Sequence, residues 1–248
     1  MKKLFEKYIR PIIRMAGVDL VRYRYKINPN IPIEFDRLAT HIFRSVEDFT
    51  VTGHTRVYAL VQAVKYITKN KIDGDFVECG IYKGGSIMAM ALALKELGDM
   101  SREIYLYDTF SGMSTPTNAD ITYNGIPAQK IFSEILCDCP LEEVKSNVYS
   151  TGYPNNKFHF IQGKVEDTIP ENVPEKIALL RLDTDWYEST KHELNYLFPL
   201  LSHKGVIIID DYGHWQGARK AVDEYILENK LCILLNRIDY ASLIGLKI

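Results

Sequence analysis

Residues 75–86 read Asp75-Phe76-Val77-Glu78-Cys79-Gly80-Ile81-Tyr82-Lys83-Gly84-Gly85-Ser86, a short apolar stretch that breaks into glycines and then into a helix-forming run. An apolar strand, a glycine turn and a helix together make the opening unit of a parallel α/β sheet. Glycines let the backbone turn sharply and approach a ligand closely, and the following helix offers free N–H groups in its first turn. Such a turn suits a nucleotide-like cofactor, although a plain tight turn would use the same residues. Its spacing is not the GxGxxG of dinucleotide enzymes.

Outward from this turn, short apolar runs alternate with longer amphipathic ones, the pattern of βαβ units around one sheet. The spacing predicts strands over Asp75–Cys79, Glu103–Tyr107, Lys157–Gln162, Lys176–Leu182 and Gly205–Ile209. Helices are expected over Ser86–Leu97, Tyr187–Leu201 and Gly217–Glu228, with another from about Thr55 to Thr68 before the first strand. The tail from Leu231 to Ile248 reads as two strands closing the sheet as an antiparallel hairpin. The 48 residues between Asp108 and Lys157 are too many for a simple crossover. Long connections at this edge of a sheet are usually lids or substrate loops, so residues 109–156 are expected to form one.

Ligands of open α/β sheets bind beyond the carboxyl ends of the strands, and here those ends carry acids and glycines. Asp108 closes the second strand, where an acid can accept hydrogen bonds from both hydroxyls of a ribose. Gly163-Lys164-Val165-Glu166-Asp167-Thr168 follows the third, the edge that meets an adenine in a nucleotide site. Leu182-Asp183-Thr184-Asp185-Trp186 and Ile209-Asp210-Asp211-Tyr212 end the next two. Adjacent strands lie about 4.8 Å apart, so these carboxylates converge. Converging carboxylates repel and call for a cation. Hard oxygen ligands favour Mg²⁺, with Mn²⁺ or Ca²⁺ as alternatives.

Two shorter patterns compete. Tyr187-Glu188-Ser189-Thr190-Lys191 matches the YxxxK pair of short-chain dehydrogenases, but no serine lies at the required distance before it. Asp183-Thr184-Asp185 matches the DxD of metal-dependent glycosyltransferases, a reading that leaves the glycine turn, Asp108 and Asp210-Asp211 without a role. A catalytically silent scaffold is a third alternative, against which the intact set of acids argues.

Composition narrows the classes further. The 248 residues are 46% hydrophobic and 25% charged, an ordinary globular balance that excludes disorder, collagen and coiled coil. A net charge of −2 argues against a general nucleic-acid binder. Four cysteines (Cys79, Cys137, Cys139, Cys232) are too few for a disulfide framework and read as reduced thiols of a cytoplasmic protein. No stretch approaches the roughly 18 apolar residues of a membrane span, and charges interrupt any signal-peptide core. Residues 1–26 carry a net +6 with apolar residues at helical spacing. That stripe suits a helix packed on the main domain or on a second subunit, or one resting peripherally on anionic lipid.

These motifs resemble the macrocin O-methyltransferase (TylF-type) family. The resemblance rests on Gly74-Asp75-Phe76-Val77-Glu78-Cys79-Gly80 with Lys83-Gly84-Gly85-Ser86, and on Tyr107-Asp108-Thr109-Phe110-Ser111-Gly112-Met113. It continues through Gly163–Thr168, Leu182–Thr190 and Asp210-Asp211-Tyr212-Gly213-His214-Trp215-Gln216-Gly217-Ala218, covering roughly four-fifths of the chain from about Phe49. It implies a class I methyltransferase fold: one Rossmann-like, mostly parallel sheet flanked by helices. Ahead of the matched motifs, residues 1–48 are expected to form an N-terminal helical arm. It implies S-adenosylmethionine and Mg²⁺ as cofactors and a sugar hydroxyl as acceptor, borne by a glycan, a glycosylated natural product or a nucleotide sugar. By motif, Glu78, Gly80, Gly84 and Ser86 would line the methionine and ribose side, Asp108 would hold the ribose, and Val165 and Glu166 would border the adenine. Asp183, Asp210 and Asp211 would hold the metal. The proton acceptor is expected to be Asp183 first and Asp185 second, and His214 and Trp215 could touch the sugar. A homodimer through the N-terminal helices is a further expectation.

Overall fold

β1 (Asp75–Cys79) is buried at four of its five positions and β4 (Ile177–Leu182) at all six, which marks them as the centre of a sheet covered on both faces. The computed structural model describes residues 31–32, 34–135 and 137–248, so the expected basic helix over 1–26 lies outside the described residues. β2 (Ile104–Asp108) and β3 (Phe158–Gln162) extend the sheet on one side of β1, and β5 (Leu201–Ile209) extends it beyond β4. With the closing hairpin β6 (Leu235–Arg237) and β7 (Leu243–Leu246), the order is β3-β2-β1-β4-β5-β7-β6. The first five strands are parallel, and β7 runs antiparallel to both β5 and β6. The chain therefore winds outward from β1 and then restarts on its other side at β4. That reversal opens a crevice at the carboxyl ends of β1 and β4.

Alternate strand residues face opposite layers. Phe76, Leu179, Val206 and Ile208 join a core built with α1 (Arg37–Val46), α2 (His54–Asn70) and α3 (Gly85–Glu96). Val77, Leu180 and Ile207 join the other, with α6 (Tyr187–Leu197) and α7 (Gln216–Glu228). Between these, α4 (Leu141–Tyr149) lies in the long insertion and α5 (Val165–Thr168) is a single turn after β3.

Three boundaries differ from expectation. The arm does not extend to residue 48, because Glu34–Ile248 is one unit. Asp36 caps α1 through the Ala39 amide, and Ala39, Ile42, Phe43 and Val46 are buried in the first core. α6 stops at Leu197 rather than Leu201, since Pro199 lies in a 3-10 turn and has no N–H with which to continue the helix. β5 starts at Leu201, four residues early, where Leu201 pairs with Ile177. In the insertion, two 3-10 turns (Ala128–Lys130 and Phe132–Glu134) precede α4.

Candidate active site at the carboxyl edge of the sheet

The turn after β1 is held by its neighbours. Gly80 adopts φ +86°, and a Cβ there would come within 2.0 Å of the Asp183 carbonyl oxygen. Only glycine lets the ends of β1 and β4 approach this closely. Asp108 locks the same turn from β2. Its Oδ2 accepts from the Ile81 and Tyr82 amides at 2.6 and 3.3 Å, while Oδ1 accepts from the Phe110 amide at 2.7 Å.

Beyond these ends lies a cavity of about 310 Å³. It brings together most of the residues expected of a site: Gly80 and Asp108 from β1 and β2, and Val165 and Glu166 after β3. Asp183, Asp185, Asp210, Asp211, His214 and Trp215 complete it. Three expected residues do not line it. Gly84 takes a left-handed conformation at the start of α3, facing Val144 and Val148, and Ser86 is buried in the first turn of α3. Glu78 is buried behind the turn, and its Oε2 has no hydrogen-bond partner.

An arginine that motif reading passed over organises the acids. Arg181 is the register partner of Glu78 on the neighbouring strand, so the two side chains pair inside the sheet. Its guanidinium also reaches Asp183 at 2.8 Å and Asp210 at 2.7 Å. Arg56 of α2 meets Asp210 at 2.9 Å and Asp239 at 2.7 Å. Ser242 donates to Asp210 Oδ1 at 3.0 Å. Asp210 is thus bound on both oxygens and only 1% exposed. The available signal for Arg181 was a charge inside an apolar strand, which must find a partner. Arg56, Asp239 and Ser242 had no comparable signal.

Burial pushes Glu78 up to about 7 against the pull of Arg181. Asp185 rises to about 7 through burial and the nearby Asp183 charge, opposed by the Trp215 indole N–H on Oδ1. Asp183 and Asp211 stand well above the ordinary carboxylate range, chiefly through burial. Repulsion from Asp210 and other nearby carboxylates adds to this, and Arg181 draws Asp183 back down. Among the described residues, no three His, Cys, Asp or Glu side chains stand as a ready-made metal-ligand set.

The insertion closes one side of the cavity as a docked wall. Buried Asp120 accepts from the Tyr187 amide at 2.8 Å and the Thr117 amide at 2.6 Å. Thr122 bridges to Trp215, the Tyr123 amide donates to the His214 carbonyl at 2.7 Å, and the Trp186 indole donates to the Ser114 carbonyl at 2.8 Å. The YxxxK pair has a structural role outside the cavity: Lys191 donates to the Tyr187 hydroxyl at 2.9 Å and both bind Glu224.

Comparison with known proteins agrees with this architecture. The chain is 33% identical over 185 residues to the 8-demethyl-8-(2,3-dimethoxy-alpha-L-rhamnosyl)-tetracenomycin-C 4'-O-methyltransferase of Streptomyces olivaceus, covering 71% of this chain and 67% of that one. It is 30% identical over 188 residues to the mycinamicin III 3''-O-methyltransferase of Micromonospora griseorubida, covering 73% of each. Among solved structures, the O-methyltransferase NovP superposes with a TM-score of 0.72 at 27% identity, covering 80% of this chain and 82% of that one. A Bacillus cereus O-methyltransferase shares the fold at a TM-score of 0.54 and 12% identity, covering 88% of this chain and 94% of that one. The sheet and its helices are thus those of class I, Rossmann-like O-methyltransferases. Since the Macrocin-O-methyltransferase (TylF) profile matches residues 37–244, nearly the whole unit that builds the cavity, the chain belongs to that family of O-methyltransferases.

Proposed function

We propose that the protein transfers a methyl group from S-adenosylmethionine to a sugar hydroxyl of a glycan, glycosylated natural product or nucleotide sugar, with Mg²⁺ at the acid cluster. One observation carries the reading: a glycine turn braced by Asp108 and a group of acids after β4 and β5, Asp210 buried and the others half-buried, share a single cavity. The Streptomyces olivaceus relative is named for a rhamnosyl-bearing compound, which supports a sugar acceptor. Val165 and Glu166, on the cavity wall, suit the adenine edge, while Glu78, with its orphaned Oε2 behind the glycine turn rather than on the wall, would meet the ammonium of the methionine moiety only if that turn shifts. When bound, S-adenosylmethionine supplies the sulfonium methyl.

The donor chemistry fits a hard divalent cation. Asp183 and Asp211 carry charge that their surroundings disfavour, and Asp210 Oδ1 keeps a lone pair after accepting from Ser242. Asp183, Asp210 and Asp211 would hold the ion, which supplies Lewis-acid polarisation of sugar oxygens.

A sugar hydroxyl is a weak nucleophile while protonated, so a base is required. Asp185 suits that role better than Asp183, because it has no arginine partner and titrates near neutral pH, where a general base works best. The cavity walls fix the acceptor, and rate then comes largely from positioning the reacting atoms about 3–3.5 Å apart. A cytoplasmic location is our reading from composition. No helix among the described residues is long and apolar enough to cross a membrane.

Calorimetry with S-adenosylhomocysteine, NAD⁺ and UDP tests the cofactor; micromolar binding to the first alone is expected, and binding to UDP instead would restore the glycosyltransferase alternative. EDTA should abolish methyl transfer and Mg²⁺ should restore it. Undiminished turnover in EDTA would remove the metal.

A further inference from the structure

α6 buries Ser189, Thr190, Glu193, Leu194 and Leu197, the stripe of a helix that lies on a core. Leu194 and Leu197 join the second core, and an apolar side chain would suit position 193 as well. The chain places a glutamate there instead, 0% exposed. A buried acid costs free energy unless its oxygens are used, so its partners say what it does. Glu193 Oε1 accepts from the Thr184 hydroxyl at 2.9 Å, and Oε2 has no hydrogen-bond partner among the described residues. The Cys79 thiol at the end of β1 lies beside the carboxyl. Burial holds the group well above the ordinary carboxylate range, which favours its uncharged form.

Thr184 links two acids of the cavity. It stands between Asp183 and Asp185, and all three line the cavity wall. Asp185 takes φ +68°, a left-handed backbone that a residue with a Cβ keeps only where its surroundings hold it. On the cavity side, the Asp185 amide donates to Asp211 Oδ2 at 3.2 Å, and its Oδ1 accepts from the Trp215 indole. Along the chain, the Asp183 amide donates to the Cys79 carbonyl at 2.9 Å and the Trp186 amide to the Thr184 carbonyl at 2.8 Å. The Thr184 side chain adds a hold from the opposite direction, that of α6.

Stability alone does not account for the acid. One such bond contributes about 0.5–1.5 kcal/mol, while an orphaned buried oxygen costs about 1–3 kcal/mol. Methionine at 193 would fill the space with neither. What the bond does supply is direction, because the strained turn it grips carries Asp185.

We propose that Glu193 is a positioning residue: through the Thr184 hydroxyl it holds the Asp183–Asp185 turn so that the Asp185 carboxylate faces the acceptor hydroxyl. The consequence for catalysis rests on the reading of Asp185 as the base, whereas the hold on the turn does not.

The test separates the two. The chain has two tryptophans, so the ¹⁵N-labelled full-length protein gives two indole N–H signals, and Trp215→Phe assigns them by removing one. The Trp215 signal reports directly on Asp185 Oδ1, with no acceptor or metal required. Glu193→Met should shift that proton to lower frequency and speed its exchange with water. Thr184→Val should do the same, and the double variant should go no further than either alone, since both substitutions cut one bond. Glu193→Gln keeps the Oε1 acceptor and should leave the signal in place. In methyl transfer to the methyl glycosides of rhamnose, fucose and glucose, Glu193→Met and Thr184→Val should lower kcat about ten- to a hundredfold, the cost of a misplaced reacting group. KM and S-adenosylhomocysteine affinity should not change, and Glu193→Gln should restore kcat.

A Trp215 signal that stays in place in Glu193→Met overturns the proposal. So do additive shifts in the double variant, or a glutamine variant that behaves like the methionine one. A lowered Tm with the signal unmoved assigns Glu193 to stability alone and overturns it too. If Asp185→Asn retains turnover, or no glycoside is methylated although S-adenosylhomocysteine binds, the reading of the reaction has failed. The indole signal then decides by itself whether Glu193 holds the turn.

Discussion

Replacing Arg181 with methionine keeps the length of the side chain and removes the charge that Glu78, Asp183 and Asp210 share. Arg181 is 2% exposed and Glu78 1%, so water cannot replace what is lost. Breaking a buried pair by removing one partner costs about 3–5 kcal/mol. For a chain of this size each kcal/mol moves Tm by about 2–4 °C, which puts the loss at about 6–20 °C. The sign of the pH dependence follows from Glu78, whose folded pKa of about 7 exceeds its ordinary 4.5. Between those values the folded state binds more protons than the unfolded state, so stability falls as pH rises through the window and returns as pH falls. Without Arg181 the folded value moves higher still, and the variant should lose more stability at about pH 8 than at about pH 5.5. Urea unfolding of both proteins at both pH values measures this. Adding Glu78→Gln to the variant should recover about 0.5–3 kcal/mol at the higher pH, because the stranded charge has gone. A loss below about 1 kcal/mol, the ordinary cost of a point substitution, or one independent of pH, would show that Arg181 does not neutralise these acids.

Three further outcomes are expected. Asp185→Asn should lower kcat by about 10²–10⁴ while S-adenosylhomocysteine still binds, and the fall in wild-type activity below about pH 7 should vanish from the variant's pH–rate profile. Asp108→Ala releases the Ile81 and Tyr82 amides, and losing charge-assisted bonds worth about 1.5–3 kcal/mol should weaken S-adenosylhomocysteine by about ten- to a hundredfold in calorimetry. Asp120→Ala unpins the insertion from α6; limited proteolysis should then cut within 113–128 faster than in the wild type with circular dichroism unchanged, and equal cleavage rates would mean that Asp120 does not hold the wall.

The sheet was legible in the sequence because its strands are apolar runs that end in acids or glycines. Four of the five parallel strands begin within one residue of expectation and all five end within one. The acids were legible for the same reason, since a polar residue ending a buried strand has only the sheet edge to occupy. Less legible was what neutralises them. Arg56 stands 154 positions before Asp210, and only the packing of α2 against the sheet brings them together. The insertion hid its role because its anchors run largely through backbone groups, the Tyr187 amide on Asp120 and the Tyr123 amide on the His214 carbonyl among them, which leave no residue pattern to read. The end of α6 could have been placed by Pro199 alone.

The β6–β7 hairpin also orders events in time. Asp239, which pairs with Arg56, and Ser242, which bonds Asp210, both follow β5 and α7 in the chain, and β7 slots in beside β5 only after the five parallel strands have been synthesised. A nascent chain can lay down β1 to β5 and still carry an acid cluster short of two of its partners. The acid edge thus matures after the parallel sheet, and a chain released before Ser242 would have that sheet but an acid cluster short of two partners. Folding of the fragment and acquisition of activity should accordingly separate along the length of the translated chain.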